Sequence, residues 1–600
     1  MSFFQIKINY YKSLMNKGHR FLITEIINKL RYSTKIISPY DVYLEKNKIN
    51  DSDIHRMSAQ IKSFKYTPKI SIITPVYNVD KVWLEKAIDS VMNQIYENWE
   101  LCLVDDASTK RHIKEILEKY QKKDNRIKVK FLRKNKGISG ASNEALSIAT
   151  GEFVGLLDHD DELTVDALFE VIKLLQEYPD ADMIYSDEDK IDMKDNRCDP
   201  YFKPDWSPDL FLSNMYTCHF GVYKRKIVEE IGGFRKGFEG SQDYDLVLRL
   251  TERIDKIYHI PKILYHWRKI PNSTALRYDV KGYADINARK ALEDALKRRE
   301  IKGEVLSGLF PGSFRIKREI INNPKVSIII PTKDHVEILK KCIESVEKKA
   351  NYKNYEIIIV DNNSQDIHTI NYLETIRKKP NIKVLRYEKP FNFSAINNFA
   401  ARNSNSAYLL FLNNDTEIIS DELLSAMLEH AQRKEVGAVG CKLLYPDDTI
   451  QHAGIIIGII GNPPVGGHSH RHFSAFTPGY FGRVQCIHNL SAVTAACVMI
   501  RKEVFEEVGG FDENLEVAFN DVDLCLKIRE KGYLIVYTPY AQLYHYESLS
   551  RGYEDNPEKQ ERFSKEVNYI REKWKKVIDR GDSYYNPNLT LDYEDFRIKI

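Results

Sequence analysis

In the stretch GEFVGLLDHDDEL (residues 151–163) a short apolar run meets Asp158, Asp160, Asp161 and Glu162, with His159 among them. Two carboxylates spaced i and i+2 at the frayed end of a strand can converge on one point. Mg2+ and Mn2+ prefer oxygen ligands shared between one or two carboxylates and substrate phosphates, so this spacing suits a divalent cation. A solvated acidic turn explains the same residues when they are taken alone. A second acidic strand end, Asp105-Asp106 in WELCLVDDAS, precedes them, and this tips the reading toward the cation.

The elements that must position these carboxylates occur twice. KISIITPVYN (69–78) returns as KVSIIIPTKD (325–334), with Ser71 and Ser327 separated by 327 − 71 = 256. WELCLVDDAS returns as YEIIIVDNNS, with Asp105 and Asp361 again 256 apart, and the opening stretch returns as SAYLLFLNNDTEI, with Asp160 matching Asp415 at 255. Two later blocks follow in the same order. Asp243 in SQDYDL matches Asp521 at 278, and His266 in LYHWR matches His545 in LYHYE at 279. Five ordered matches mean two copies of one domain, the second longer by about 278 − 256 = 22 residues between its third and fourth blocks.

Within each copy short Ile/Val/Leu runs, such as Ile70–Ile73 and Leu101–Val104, alternate with segments of helical spacing such as DKVWLEKAIDSVMNQI. Strands buried on both faces and alternating with helices predict an α/β domain with a mainly parallel sheet. Such sheets bind ligands in the crevice at the carboxyl ends of the strands, where Asp105, Asp106, Asp158 and Asp160 fall. The expected division is a helical N-terminal segment (1–66), a first domain (67–315) and a second domain with a helical C-terminal tail (316–600).

Composition narrows the function classes. Lys+Arg 89 against Asp+Glu 86 gives no global basic charge for nucleic acid. The eight cysteines show no CxxC spacing, so they read as buried thiols of a reducing compartment. No run approaches the roughly 18 apolar residues of a membrane span, and a cytoplasmic protein is expected. The N-terminal Phe3, Phe4, Tyr10 and Tyr11 with neighbouring lysines suit a helix resting on the inner membrane face; a helix packed on the first domain suits them equally.

The order TPVYN, VDDAS, GEFVGLLDHDD, GGF, SQDYDL and YHWR resembles family 2 glycosyltransferases, over residues 67–275 and again over 323–550. DMIYSDEDKID, FKPDWSPDLFLSNMY and NDVDLCLKIREKGY are similar to bacterial enzymes that build O-antigen, capsule and related surface polysaccharides, rhamnosyltransferases among them. The resemblance implies two tandem GT-A domains, the Rossmann-like fold of nucleotide-diphospho-sugar transferases. It implies a nucleotide sugar donor (UDP- or dTDP-sugar), a glycan or lipid-linked acceptor, and Mn2+ or Mg2+. By matched motif, Pro75, Tyr77, Asp106 and Asp158 would hold the donor in the first copy, and Pro331, Asp361, Asn362 and Asn413 in the second. Asp158 and Asp160 match the family's DxD, with Asp160 the metal ligand and Asp158 facing sugar or ribose. His266 would reach the metal or diphosphate, and Asp243 would be the catalytic base. Asp415, His545 and Asp521 follow for the second copy.

Each assignment has a plainer rival. Asp106 suits a cap on the following helix, His266 a hydrogen-bonded histidine beside Trp267, and Asp245 a structural role. Asp187, Glu188 and Asp189 in SDEDK suit either the donor pocket or a solvated turn. In the second copy Asn413 replaces a carboxylate, which weakens a cation site there. His468, His470 and His472 alternate as on one strand face, but without companion ligands they read as a loop touching donor or acceptor. Two readings therefore stand: two active sites, or one active copy beside a glycan- or nucleotide-binding copy.

Overall fold

The computed structural model describes residues 37–270, 282–460, 464–547 and 556–600. The expected surface helix with Phe3, Phe4, Tyr10 and Tyr11 lies outside them. The described residues up to Asp51, with Ile598–Ile600, group as one small unit, and Ser52–Arg597 as the other. The small unit holds the helix Pro39–Lys46, whose Ser38 and Asp41 form a reciprocal capping box.

The large unit contains both repeats. The first supplies β1 (Ile70–Val76), β2 (Trp99–Asp105), β3 (Ile127–Phe131), β4 (Phe153–Leu156), β5 (Glu162–Leu163), β6 (Met183–Ile191), β7 (Arg197–Tyr201), β8 (Gly221–Lys224) and β9 (Ile257–Arg268). A hairpin of β10 (Gly303–Ser307) and β11 (Phe314–Arg318) follows. The second supplies β12 (Val326–Thr332), β13 (Tyr355–Asp361), β14 (Ile382–Arg386), β15 (Tyr408–Leu412), β16 (Thr416–Ile418) and β17 (Val436–Leu444). After these come β18 (Ile450–His452), β19 (Ile455–Ile457), β20 (Gly466–His468), β21 (His488–Leu490), β22 (Cys497–Arg501) and β23 (Leu534–His545). The sheets run β3-β2-β1-β4-β8-β6-β9-β5 and β14-β13-β12-β15-β22-β17-β23-β16, the same topology twice. The half from β3 to β4 is parallel, as expected, whereas β8 and β5 are antiparallel to their neighbours, so each sheet is mixed.

Alternate residues of β1 bury into opposite faces. Ile72 joins Leu84, Ile88, Ile113 and Leu117 on one side, and Ile73 joins Ala141 and Ala145 on the other. Helices on both faces thus explain the unbroken apolar strands. The repeat extends to buried polar detail: Ser71 Oγ donates to Glu100 (2.7 Å) and Ser327 Oγ to Glu356 (2.6 Å). None of the eight cysteines is paired. Among the described residues no helix is long and apolar enough to cross a membrane.

The repeats are joined by a polar seam. Asn489 of the second repeat donates to Asp209 of the first (2.8 Å), Ser207 Oγ donates to Asn489 (3.0 Å), and Arg433 pairs with the other Asp209 oxygen (2.5 Å). The Arg433 guanidinium offsets the burial of Asp209 and holds its carboxyl well below the usual range. The division expected at 315/316 falls inside β11, whose Arg315 pairs with Glu422 (2.7 Å) and Glu429 (2.9 Å) of the second repeat. After the C-terminal helices Pro557–Lys573 and Lys575–Arg580 the chain crosses back as a strap. There Ser583 O accepts from Asp205 N (2.9 Å), and Asn586 Nδ2 donates to Asp187 (2.9 Å) and to Lys203 O (2.9 Å).

Removing one partner of a buried ion pair strands the other. Arg433→Ala should therefore cost about 3–5 kcal/mol, read by chemical denaturation as a lower midpoint. A loss near zero would show that the seam does not depend on this pair.

Candidate active sites

Strand ends build the first site. A cavity of about 1270 Å3 opens at the carboxyl ends of β1 and β4, lined by Pro75, Tyr77, Asp106, Asp158, Asp160 and Asp243. Six of the seven residues expected there on sequence thus come together; His266 does not. Asp106 accepts from the backbone N–H groups of Lys136 (2.6 Å) and Gly137 (2.9 Å). It therefore tethers the start of the helix Gly137–Ile148, not the helix that follows it in sequence. Asp243 is the second residue of the helix Gln242–Leu250 and accepts from Tyr244 N (2.8 Å). Burial pushes its carboxyl above the ordinary value; Asp158 adds to this and His219 opposes it. Asp245 turns away to the guanidinium groups of Arg235 (3.1 Å) and Arg249 (2.8 Å), the structural role expected of it.

The acidic turn is held from behind. Asp161 accepts from Tyr265 Oη (2.6 Å) and Arg268 N (2.7 Å), and burial beside Asp160 and Asp158 pushes its carboxyl well up. Among the described residues Asp158, Asp161 and His219 bring three possible metal-ligating atoms within 4.8 Å of one another. Both Asp161 oxygens are already committed to β9, and the carboxylates of this turn that line the cavity are Asp158 and Asp160. His219 was missed in the sequence because it has no motif; it reaches the site through the pairing of β8 with β4. Its backbone N–H donates to Glu188 (2.9 Å) and its ring stacks on Tyr265 (4.5 Å).

His266 is excluded by register. Leu163 N and Ile418 N both bond a helix serine, Ser90 and Ser345, and so mark equivalent positions. Leu163 pairs with Tyr265, but Ile418 pairs with Leu543. The counterpart of His545 is therefore Trp267, at 545 − 267 = 278, the same spacing as Asp243 and Asp521. Matching the LYH triplets slips the strand by one residue, and one residue reverses the face. Trp267 lines the cavity, while His266 turns to Asp189 (2.5 Å).

Neither reading of SDEDK holds. Asp187, Glu188 and Asp189 are buried in β6 outside the lining of the first cavity, and each is paired. Asp187 meets His259 (2.9 Å), Glu188 meets the fully buried Lys203 (3.0 Å), and Asp189 meets Arg197 (2.6 Å).

The second cleft, about 660 Å3, is lined by Pro331, Asn362, Asn413, Asp415, Asp521 and His545. Asp361 does not line it: Ser364 N (3.0 Å) and Arg386 hold its two oxygens, and only its neighbour Asn362 faces inward. His545 lies 3.2 Å from Asp415 and 3.3 Å from Asn413, with its other nitrogen 2.7 Å from Gln451. Asp521 accepts from Ala495 N (3.1 Å) and Val522 N (2.8 Å), and burial again pushes its carboxyl up.

The clefts differ in charge. The described lining of the first holds five carboxylates, adding Glu239, and no Lys or Arg; that of the second includes Lys333, Arg471, Lys559 and Arg562. The three alternating histidines do not share a face, since His470 and His472 have positive φ (58° and 60°). Only His468 reaches the cleft, beside His452 (2.8 Å), and burial pushes it down to about 4, neutral at pH 7.

The model of "Glycosyl transferase family 2" matches residues 71–232 and 327–509. An uncharacterized protein y4gI of Sinorhizobium fredii is 46% identical over 90% of this chain and 60% of its own length. The O-antigen biosynthesis protein RfbC of Myxococcus xanthus is 39% identical over 88% of this chain and 41% of its own. The chain thus spans about two fifths to three fifths of these relatives. Among solved structures, S. aureus TarS 1-349 is 22% identical over 38% of this chain and 71% of its own, with a TM-score of 0.30.

The register makes a separable prediction. His545→Ala should weaken nucleoside diphosphate binding by the second cleft about tenfold, about 1.4 kcal/mol. His266→Ala should leave the first cleft's binding unchanged and cost about 1–3 kcal/mol of stability through Asp189. Calorimetric titration with denaturation checks both; equal binding losses would contradict the register.

Proposed function

The chain belongs to glycosyl transferase family 2, and from that premise we propose that each repeat transfers a glycosyl group from a nucleoside diphosphate sugar to a hydroxyl of a growing surface polysaccharide or lipid-linked glycan. The observation that carries this reading is one carboxylate in each cleft, Asp243 and Asp521, fixed at a helix start and facing the same cavity as the strand-end residues.

A sugar hydroxyl is a poor nucleophile until its proton is removed, and a carboxylate raised above its ordinary value is a better base for the task. Asp243 takes the proton as the hydroxyl oxygen bonds the anomeric carbon. The bond from that carbon to the diphosphate breaks, the nucleoside diphosphate leaves with its electron pair, and the in-line displacement inverts the centre. Pro75, Tyr77 and Asp106 form the wall on which the nucleoside would lie. Hard carboxylate oxygens in a cavity without a described Lys or Arg suit Mg2+ or Mn2+. Held by Asp158 and Asp160, such an ion would neutralise the charge of the departing diphosphate. In the second cleft Asp415 and His545 are joined by Arg471, Lys559 and Arg562, which supply positive charge directly. This favours a second active site with a weaker requirement for the ion over a copy that only binds.

Each base substitution should separate the copies. Asp243→Asn abolishes one transfer and Asp521→Asn the other, with donor binding kept and products of different length by mass spectrometry; wild-type turnover in both would remove the two residues from the role. The base must be ionised, so the acid limb of kcat/KM for the first transfer should lie above the ordinary carboxylate value of 3.8. A chelator should stop the first transfer and only slow the second. Equal sensitivity of both would contradict the charge argument.

A further inference from the structure

The first cleft is not built by the first repeat alone. The added segment of the second repeat carries a short 3-10 turn, Tyr480–Gln485, and its Phe481 lines the first cavity together with Asp243. Phe481 stacks on Tyr201 with ring centroids 3.9 Å apart and 15° between planes. It nevertheless stays 42% exposed and lines the cavity. Its backbone sits in the left-handed region (φ 47°), an outlier for a bulky side chain. That strain is held in place by its neighbours. Tyr480 Oη accepts from Phe202 N (2.9 Å) of the first repeat, and the Tyr480 ring stacks on Phe596 (5.3 Å) of the strap. A Cβ on Gly482 would come within 2.3 Å of the Phe310 ring, so glycine lets the turn close against the linking hairpin.

Strained backbone of this kind is kept where the surroundings over-determine it, and such sites gather at ligand clamps. The cavity has two kinds of lining. One is acidic, with Asp158 and Asp160; the other is aromatic, with Phe481, Phe310, Phe314 and the half-exposed Tyr283, next to Ser241 and Gln242. Its volume of about 1270 Å3 exceeds the roughly 300–1,000 Å3 of a usual small-molecule pocket. A donor at the acidic lining therefore leaves room for a second molecule. A pyranose has an apolar C–H face and a rim of hydroxyls, and a flat exposed ring in a cavity that is also lined by polar side chains such as Gln242 matches both.

We propose that Phe481 of the second repeat is a platform of the acceptor subsite in the first repeat's cleft, on which a pyranose of the acceptor glycan lies. The proposal rests on the reading of the first repeat as a glycosyltransferase, and it makes the second repeat a structural part of the first active site. Phe481 is a positioning residue; it takes no part in bond making.

The test uses the full chain, titrated calorimetrically with a panel of short pyranose oligosaccharides (rhamnose-, glucose- and N-acetylglucosamine-containing), with Asp521→Asn as background. Saturable binding of at least one is expected. It should weaken about tenfold in Phe481→Ala and in Phe481→Leu and survive in Phe481→Trp, while UDP or dTDP binding stays unchanged. The leucine variant keeps apolar packing on Tyr201 without a flat face, so a purely structural role would leave it like the wild type. No binding by any oligosaccharide, equal binding by all four proteins, or a loss confined to the nucleotide would each overturn the proposal. Turnover by the wild-type chain is measured separately, so glycosyl transfer can stand or fall without it.

Discussion

Both clefts depend on how an acidic turn is tied to the far edge of its sheet. Carboxylates gathered at a strand end repel one another, and a free turn would spread them into solvent. Here the turn is stitched to the last long strand. In the first repeat Asp161 takes two hydrogen bonds from β9, and the fully buried Arg268 donates to Asp160 O (3.0 Å) and pairs with Glu162 and Asp195. In the second, Tyr546 N donates to Asp415 O (2.9 Å) and Tyr546 Oη to Glu417. A guanidinium and a phenol thus hold the same geometry. With the turn fixed, Asp158 and Asp160, or Asn413 and Asp415, line the same cleft as the helix start that carries Asp243 or Asp521.

The doubled topology was legible because apolar runs and the acidic strand ends recur at nearly constant spacing. So were Asp243 and Asp521, whose block repeats with its helix. What escaped the sequence is what depends on strand pairing. Matching LYHWR to LYHYE letter by letter is the natural choice, yet the sheet register offsets it by one, so Trp267 and not His266 faces the cleft. His219 joins the acidic turn from a segment distant in sequence, and the groups that hold Asp161 come from β9. The SDEDK run misled for another reason: a buried strand of three carboxylates is stable only because Lys203, His259 and Arg197 meet it from elsewhere.

The copies keep one strand order and have diverged in the charge of their clefts. The first cleft concentrates carboxylates, and the second replaces one with Asn413 and surrounds the rest with Arg471, Lys559 and Arg562. Two opposite electrostatic environments thus coexist on one topology. The second repeat's added segment, which looks like an insertion in its own domain, also packs across the seam through Tyr480 and Phe481.

The strap has a consequence for biosynthesis. Asn586 reaches Asp187 across a sequence separation of 399 residues. At about 5–20 residues per second, a ribosome needs on the order of twenty to eighty seconds to make the intervening chain. Until Asn586 has been made, one of the first repeat's buried acids lacks its amide partner, so the earlier-made half reaches its final hydrogen-bonded arrangement only after the later-made half has been translated.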